Sequence, residues 1–142
     1  MNKVDQKQEW IWLFLWGITI VSTLGSLFYS EILHYVPCEL CWMQRILMYP
    51  LVIIYGVATM QKNMSVALPG LILSSIGLVV SIYHYLIQKL PALQAAGATC
   101  GDVPCNIQYT NYFGFITIPF LAGIAFLLII VSHIILLRSV RR

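Results

Sequence analysis

Two cysteines in the first third of the chain have the residue type and the spacing for thiol–disulfide chemistry. Cys38 and Cys41 lie in the stretch Pro-Cys-Glu-Leu-Cys-Trp-Met-Gln-Arg, and their C-x-x-C spacing is that of thiol–disulfide oxidoreductases. A long apolar run follows, so we expect the pair to begin a helix, where unpaired N–H groups favour a thiolate. Arg45 comes four residues after Cys41, which on a helix places it one turn away on the same face.

Arg45 extends the chemistry that this stretch could perform. Its permanent positive charge beside Cys41 also favours the thiolate form. A thiolate at Cys41, held at a membrane surface, could attack a membrane-dissolved electrophile. The same guanidinium could stabilise the oxygen anion that forms when a quinone accepts electrons. We therefore predict Cys41 and Arg45 at a cofactor site, with an interfacial snorkelling anchor as the alternative role for Arg45.

A second close pair, Cys100 and Cys105, completes the four cysteines of the chain. An even number in paired spacing indicates disulfides or a metal site, and the choice depends on the compartment. The compartment in turn depends on which segments of the chain cross the membrane.

The composition predicts a membrane protein. Hydrophobic residues make up 60% of the 142 residues, charged residues only 9%, and the mean hydropathy is +0.85. Soluble domains carry roughly 25% charged residues, and a chain of this size could not bury so much apolar surface in water. The small net charge of +3 gives no indication of nucleic-acid binding. We expect a single integral membrane domain over residues 1–142.

Four apolar runs are long enough to cross a bilayer, and they predict an all-α bundle of four transmembrane helices. Their approximate bounds are 10–30, 43–61, 65–87 and 113–137.

The distribution of lysine and arginine predicts the orientation of the bundle. Six of the eight would share one side of the membrane (Lys3, Lys7, Lys62, Arg138, Arg141 and Arg142), and only Arg45 and Lys89 the other. The positive-inside rule then places both termini in the cytoplasm and both cysteine-containing loops outside it. The second outer loop, about 89–112, also contains apolar residues spaced for one face of a short interfacial helix near residues 90–96.

Several alternatives remain open at the level of residue pattern. All four cysteines could bind zinc, although the preferred interpretation contains no metal. Both pairs could instead form structural disulfides in a non-catalytic protein whose outer loops are a binding surface. A quinone-coupled reductase of the vitamin K epoxide reductase type is a further possibility, but its C-x-x-C lies late in the bundle. His84 is a candidate cofactor-binding residue or proton donor, and an interfacial belt position is its alternative role.

The sequence Cys38-Glu-Leu-Cys41-Trp-Met-Gln-Arg45, the four spans and the second cysteine pair resemble the DsbB family of membrane quinone:thiol oxidoreductases. The close-set Cys100-Gly-Asp-Val-Pro-Cys105 is most similar to the short BdbC type. The resemblance implies a bacterial inner-membrane enzyme that uses a quinone, either menaquinone or ubiquinone, to reoxidise an extracytoplasmic thioredoxin-like protein.

The resemblance also implies a role for each cysteine. Cys100 would form the mixed disulfide with the partner, and Cys105 would be its companion. Electrons would reach the first pair through an inter-loop disulfide between Cys38 and Cys105. Cys41 would face the quinone beside Arg45.

Overall fold

The computed structural model describes residues 3–98 and 101–142, and about 80% of that part of the chain is helical. The helices are α1 (Lys3–Leu27), α2 (Glu39–Gln61), α3 (Met64–Lys89), α4 (Pro91–Ala98) and α5 (Ile118–Arg141). A π-helical turn, Phe28–Ile32, continues α1. Within the described ranges there is no β-strand, and Tyr112 and Ile116 form an isolated bridge. The predicted all-α class is confirmed.

Helices α1, α2, α3 and α5 are each long and apolar enough to cross a membrane. They pack together side by side, and large apolar side chains cover their outer surface. For example, Ile53 on α2 and Val79 on α3 are 72% and 67% exposed. An apolar exterior around a packed interior is the arrangement that lipid requires, so the predicted four-helix membrane bundle is also confirmed.

Three of the long helices begin away from the expected spans, and α1 begins at Lys3 rather than near residue 10, because its first turns are largely polar and precede the apolar run. α2 begins at Glu39 rather than near residue 43, so Cys41 lies in its first turn. α5 begins at Ile118 rather than near residue 113, because the chain turns there. Phe113 and Gly114 both have positive φ, and the backbone of Tyr112 bonds to Ile116. Gly114 permits this left-handed conformation without steric cost.

The start of α1, the end of α5 and the α2–α3 turn lie at one end of the bundle. α2 ends at Gln61, its C-cap residue Lys62 is in the left-handed conformation, and the Asn63 side chain caps the next helix. Lys62 Nζ forms an ion pair of 3.0 Å with Glu9 on α1. Gln8 Nε2 donates a hydrogen bond of 3.3 Å to Ser139 Oγ on α5. The cysteine-containing segments therefore lie at the opposite end.

Close packing in the interior depends on small residues in α3. A Cβ atom at Gly77 would lie 2.5 Å from the Phe126 ring, and one at Gly70 would lie 2.8 Å from the Tyr55 ring. Both rings are fully buried. Tyr55 also shares a hydrogen bond of 3.0 Å with His133 Nδ1. These contacts hold α2, α3 and α5 at fixed distances from one another.

The second outer loop packs back onto the end of α3. The predicted short helix is present as α4, and it contacts α3. The backbone N–H of Cys105 donates to the carbonyl of Gly97, 2.9 Å away. Lys89 Nζ donates to three oxygen atoms of the loop, on Gln108, Asn111 and Gly114. The loop is thus fixed over the end of the bundle at which α2 begins.

Candidate functional site

Cys38 and Cys41 are positioned by the start of α2. Cys38 is the N-cap residue, with an extended backbone, and its carbonyl accepts the first helical hydrogen bond from the Trp42 N–H at 3.0 Å. Helix geometry then turns the Cys41 side chain back toward the N-terminus, onto the same side as Cys38. Both residues are thiols, and their sulfur atoms lie 3.3 Å apart.

The two thiols are not equivalent. Cys38 Sγ–H donates a hydrogen bond to Cys41 Sγ, and Cys38 is 5% exposed. The hydrogen bond to Cys41, together with burial, raises the pKa of Cys38 to about 12. Cys38 therefore holds its proton at neutral pH, and the Cys41 sulfur accepts the hydrogen bond from that proton.

His84 connects the first cysteine pair to the second outer loop. Its Nε2 lies 3.1 Å from the carbonyl oxygen of Cys105 and 3.7 Å from Cys38 Sγ. A carbonyl can only accept, so Nε2 carries the imidazole proton in this arrangement. Cys105 is fully buried and packs with Cys38, Leu40 and Ile87 in one cluster. The two cysteine-containing segments are therefore in contact at this histidine.

Gly101 allows the second loop to approach the start of α2 closely. Its φ of +51° lies in the left-handed region, and a Cβ atom there would be 2.7 Å from Glu39 Oε1. A side chain at this position would be strained and would also displace Glu39.

A cavity of about 270 Å³ lies between α1, α2 and α5 and reaches Cys41 and Arg45. Most of its lining is apolar, with a few polar side chains. The lining residues are Val21, Ser22, Gly25, Ser26, Tyr29, Tyr35, Val36, Pro37, Cys41, Gln44, Arg45, Met48, Tyr109, Ile118, Leu121, Ala122 and Ala125. An apolar cavity with a few polar groups at one end is typical of a small-molecule site.

Arg45 is held at this cavity by contacts that leave its charge uncompensated. Its Nη2 donates a hydrogen bond of 3.3 Å to the Ser26 carbonyl, and its guanidinium lies 5.4 Å from the centre of the Trp42 ring. Within residues 3–98 and 101–142, Arg45 has no ion pair. Its charge is therefore available to a ligand.

Three tyrosine rings stand in a row beside the cavity. Tyr35 and Tyr109 are stacked with ring centres 4.8 Å apart, and Tyr29 is 6.0 Å from Tyr35 on the other side. All three line the cavity. Because they come from the end of α1, the first outer loop and the second outer loop, the stack joins these segments over the cavity.

The structure brings together most of the residues that the sequence singled out. Cys38, Cys41, Cys105 and His84 form one group, and Cys41 and Arg45 share the cavity. Cys100 lies outside the described residues. His84 does not line the cavity of 270 Å³; it lines a smaller one of about 10 Å³ with Cys38 and Cys41. Its assignment as a cofactor-binding residue stays a prediction.

Several polar residues of the site were not anticipated. Gln44 is buried and its Nε2 donates to Ser81 Oγ at 3.2 Å, and Gln88 Nε2 donates to the Ile107 carbonyl at 3.0 Å. On α3, Ser81, His84 and Gln88 follow one another at intervals of three and four residues, which is the signature of one helix face. A polar face on an apolar helix indicates that this face points into the bundle. The spacing of these three residues could therefore have predicted their place in the site. Nothing in the sequence marked Tyr109.

Comparisons with known proteins agree with this site. The family model described as "Disulfide bond formation protein DsbB" matches residues 8–137. A "Probable disulfide formation protein" of Oceanobacillus iheyensis is 58% identical over 140 residues, covering 98% of this chain and 97% of the relative. The "Disulfide bond formation protein C" of Bacillus subtilis is 53% identical over 116 residues, covering 82% and 84% respectively. No solved structure matches this chain.

The expected resemblance is thus confirmed across nearly the whole length. A disulfide-forming role fits the thiol pair at the start of α2, and the four apolar helices fit a multi-pass membrane protein. This chain belongs to the DsbB family of disulfide bond formation proteins.

Proposed function

We propose that this protein is a membrane thiol:quinone oxidoreductase that reoxidises an extracytoplasmic thioredoxin-like disulfide donor. The observation that carries the proposal is that Cys41 and the uncompensated guanidinium of Arg45 line the same apolar cavity. A purely structural disulfide would not require such a cavity beside it.

The cavity suits a quinone by size and by chemistry. Its volume of about 270 Å³ is near the lower end of small-molecule pockets, which measure roughly 300–1,000 Å³. It would hold the ring of a quinone, and an apolar tail would continue between the helices toward lipid. When bound, the quinone supplies the oxidant for the dithiol, since it takes up two electrons and two protons. Menaquinone and ubiquinone are both compatible with this lining.

The thiol steps of the proposed relay run through both loops. A partner thiolate attacks the Cys100–Cys105 disulfide at Cys100, and Cys105 leaves as a thiolate. The second partner thiol then releases the partner as a disulfide, which leaves Cys100 and Cys105 reduced. Cys105 attacks the Cys38–Cys41 disulfide at Cys38, and Cys41 leaves as a thiolate. Cys100 finally attacks Cys105 in the Cys38–Cys105 bond and restores the second pair.

The residues around the first pair favour this direction of transfer. Cys38 and Cys105 belong to the same buried cluster, which favours an inter-loop bond between them. Once Cys100 has released Cys38 as a thiol, the proton on Cys38 stabilises negative charge on Cys41 through the hydrogen bond between them. Arg45 would stabilise negative charge on an oxygen of a bound quinone. The net reaction converts a partner dithiol and a quinone into a partner disulfide and a quinol, with atoms and electrons balanced.

We further propose that the protein lies in the bacterial inner membrane with both termini in the cytoplasm. The six lysines and arginines at the end of the bundle that carries the termini support this orientation. Both cysteine pairs would then face an oxidising compartment.

A reconstituted assay tests the proposed function. Purified protein should oxidise a reduced thioredoxin-like partner only when a quinone is supplied, with one quinol formed per partner disulfide. Cys41→Ser should abolish turnover, whereas Cys→Ser changes are not expected to alter the helical content. Quinone-independent oxidation, or full activity of Cys41→Ser, would show that the proposal is wrong.

A further inference from the structure

Cys38, Cys41 and His84 present two sulfurs and one imidazole nitrogen to one small volume. Their ligand atoms all lie within 4.8 Å of one another. Cys38 and His84 are buried, and Cys41 is half-buried. We propose that, in the reduced protein, these three side chains form a binding site for a divalent cation of the zinc class.

The measured separations fit the geometry that such an ion requires. With Zn–S bonds of ~2.3 Å and a Zn–N bond of ~2.0 Å, a tetrahedral site places two sulfurs about 3.8 Å apart and a sulfur and a nitrogen about 3.5 Å apart. The two sulfurs here are 3.3 Å apart, and Cys38 Sγ is 3.7 Å from His84 Nε2. Adjustments of about half an ångström would bring these two separations to tetrahedral values, and the third, between Cys41 Sγ and the imidazole nitrogen, is at most 4.8 Å and would have to shorten by up to about 1.3 Å.

A second observation points to an occupant at the same place. The cavity of about 10 Å³ beside the three ligands is also lined by Gln88. Gln88 is 4% exposed, and its Oε1 has no hydrogen-bond partner in the described part of the chain. The hydrogen bond from Gln88 Nε2 to the Ile107 carbonyl fixes which amide atom is the oxygen. A buried amide oxygen without a donor is a suitable neighbour for a cation or for the water that would complete its coordination.

Binding has a defined proton balance. Each ion replaces two thiol protons, one from Cys38 and one from Cys41, and no oxidant or reductant is involved. His84 must release the Cys105 carbonyl and carry its proton on Nδ1, which has no hydrogen-bond partner within residues 3–98 and 101–142. A disulfide between Cys38 and Cys41 removes both thiolates, so only the reduced form binds.

Metal binding and disulfide formation are therefore alternative states of the Cys38–Cys41 pair. An ion held by both sulfurs prevents either one from attacking a disulfide or delivering electrons. The inhibitory consequence rests on the proposed function, whereas the binding itself does not.

Cadmium is the direct probe, because its bonds to sulfur give a charge-transfer band in the ultraviolet. The full-length protein carrying Cys100→Ser and Cys105→Ser is reduced, freed of reductant and titrated with Cd²⁺ in detergent, without quinone or partner. We expect one ion and two released protons per chain. The oxidised protein and a Cys38→Ser variant should show neither the band nor the protons.

The histidine distinguishes a built site from simple dithiol chelation. His84→Gln should weaken Cd²⁺ binding by at least about tenfold, and His84→Cys should restore it by supplying a third sulfur. His133→Gln is the matched control: His133 is also buried but contacts Tyr55, so binding should be unchanged. Circular dichroism checks that each variant is folded.

Absence of 1:1 binding, or equal affinity in His84→Gln and the parent, would overturn the proposed site. Because this measurement uses no quinone and no partner, its failure would leave the proposed relay intact. Loss of quinone-dependent turnover would likewise leave the metal site intact.

Discussion

Cys38 and Cys41 occupy unequal positions at the start of α2. Cys38 is buried and donates a hydrogen bond to Cys41, which lines the larger cavity. The C-x-x-C spacing predicts a reactive pair, but it does not say which sulfur keeps its proton. That difference arises from the hydrogen bond that Cys38 donates to Cys41 and from the burial of Cys38 among residues distant in sequence, such as Cys105 and Ile87.

The reactivity of Cys38 should depend on Cys41. The hydrogen bond to Cys41, with burial, raises the pKa of Cys38 to about 12, so its thiolate is scarce at pH 8. In Cys41→Ala the acceptor is lost, and the pKa of Cys38 should fall toward its ordinary value near 9. We expect alkylation of Cys38 at pH 8, followed by mass spectrometry, to accelerate at least tenfold, because one pKa unit changes the thiolate fraction about tenfold.

Cys41→Ser is the control for that measurement. Its hydroxyl oxygen can still accept the Cys38 proton, so the rate should rise less than in Cys41→Ala. An alkylation profile of Cys38 that is the same in Cys41→Ala and in the reduced parent would mean that the thiol–thiol hydrogen bond is unimportant.

Arg45 should act on the quinone side of the reaction and not on the partner side. Removal of its charge in Arg45→Met takes away the positive group nearest to the developing oxygen anion. We expect quinone-dependent kcat/KM to fall by roughly 10²–10³-fold, as for loss of one oxyanion-stabilising donor. Formation of the mixed disulfide with a partner should be unchanged. A similar loss in the partner step would indicate a general structural defect.

At the scale of elements, the long helices were predictable because lipid imposes a simple length and composition on them. The start of α5 was placed too early because the apolar run extends back to Phe113, although Thr117 and Pro119 are the residue types preferred at an N-cap and in a first helical turn. The tyrosine stack was beyond prediction, since it depends on how the second loop returns over α1.

Gly77 should be essential for the approach of α3 to α5. In Gly77→Ala the new Cβ meets the Phe126 ring at 2.5 Å, and this ring is fully buried. Overpacking costs about 1–3 kcal/mol and exceeds the helix-propensity gain of about 0.5–1 kcal/mol. We expect a lower free energy of unfolding, by about 1–2 kcal/mol, measured by denaturation in detergent micelles.

Gly17 provides the matched control on α1, because nothing lies within 4 Å of a Cβ atom there. Gly17→Ala should leave the stability equal or slightly higher. If Phe126→Leu fails to relieve the defect of Gly77→Ala in the double variant, the contact between these two residues is not its cause.

At the scale of the whole molecule, the charge distribution predicted a sidedness that agrees with the grouping of ends in the structure. Lys62 and Glu9 form their ion pair at the end that carries the termini, and α4 lies at the other end. The same grouping places Cys105 beside Cys38, although the two are far apart in sequence. Charge counting predicts which loops share an end of the bundle, but it does not predict this contact, which requires the loop to fold back over α3.

Cysteine labelling checks the orientation directly. In a variant without the four native cysteines, Asn63→Cys lies in the α2–α3 turn and Gln94→Cys on α4, and both side chains are exposed. An impermeant maleimide should label Gln94→Cys in intact cells and Asn63→Cys only in inverted membrane vesicles. The opposite pattern would place the cysteine pairs in the cytoplasm and exclude the proposed partner.

The most direct test of the relay is a single turnover at the Cys38–Cys41 pair. The reduced protein carrying Cys100→Ser and Cys105→Ser is mixed with one equivalent of quinone, and thiols and quinol are measured together. We expect two thiols to disappear and one quinol to form per chain, with Arg45→Met slower than the parent. Retention of both thiols in the presence of quinone would contradict electron transfer from Cys38 and Cys41 to the quinone.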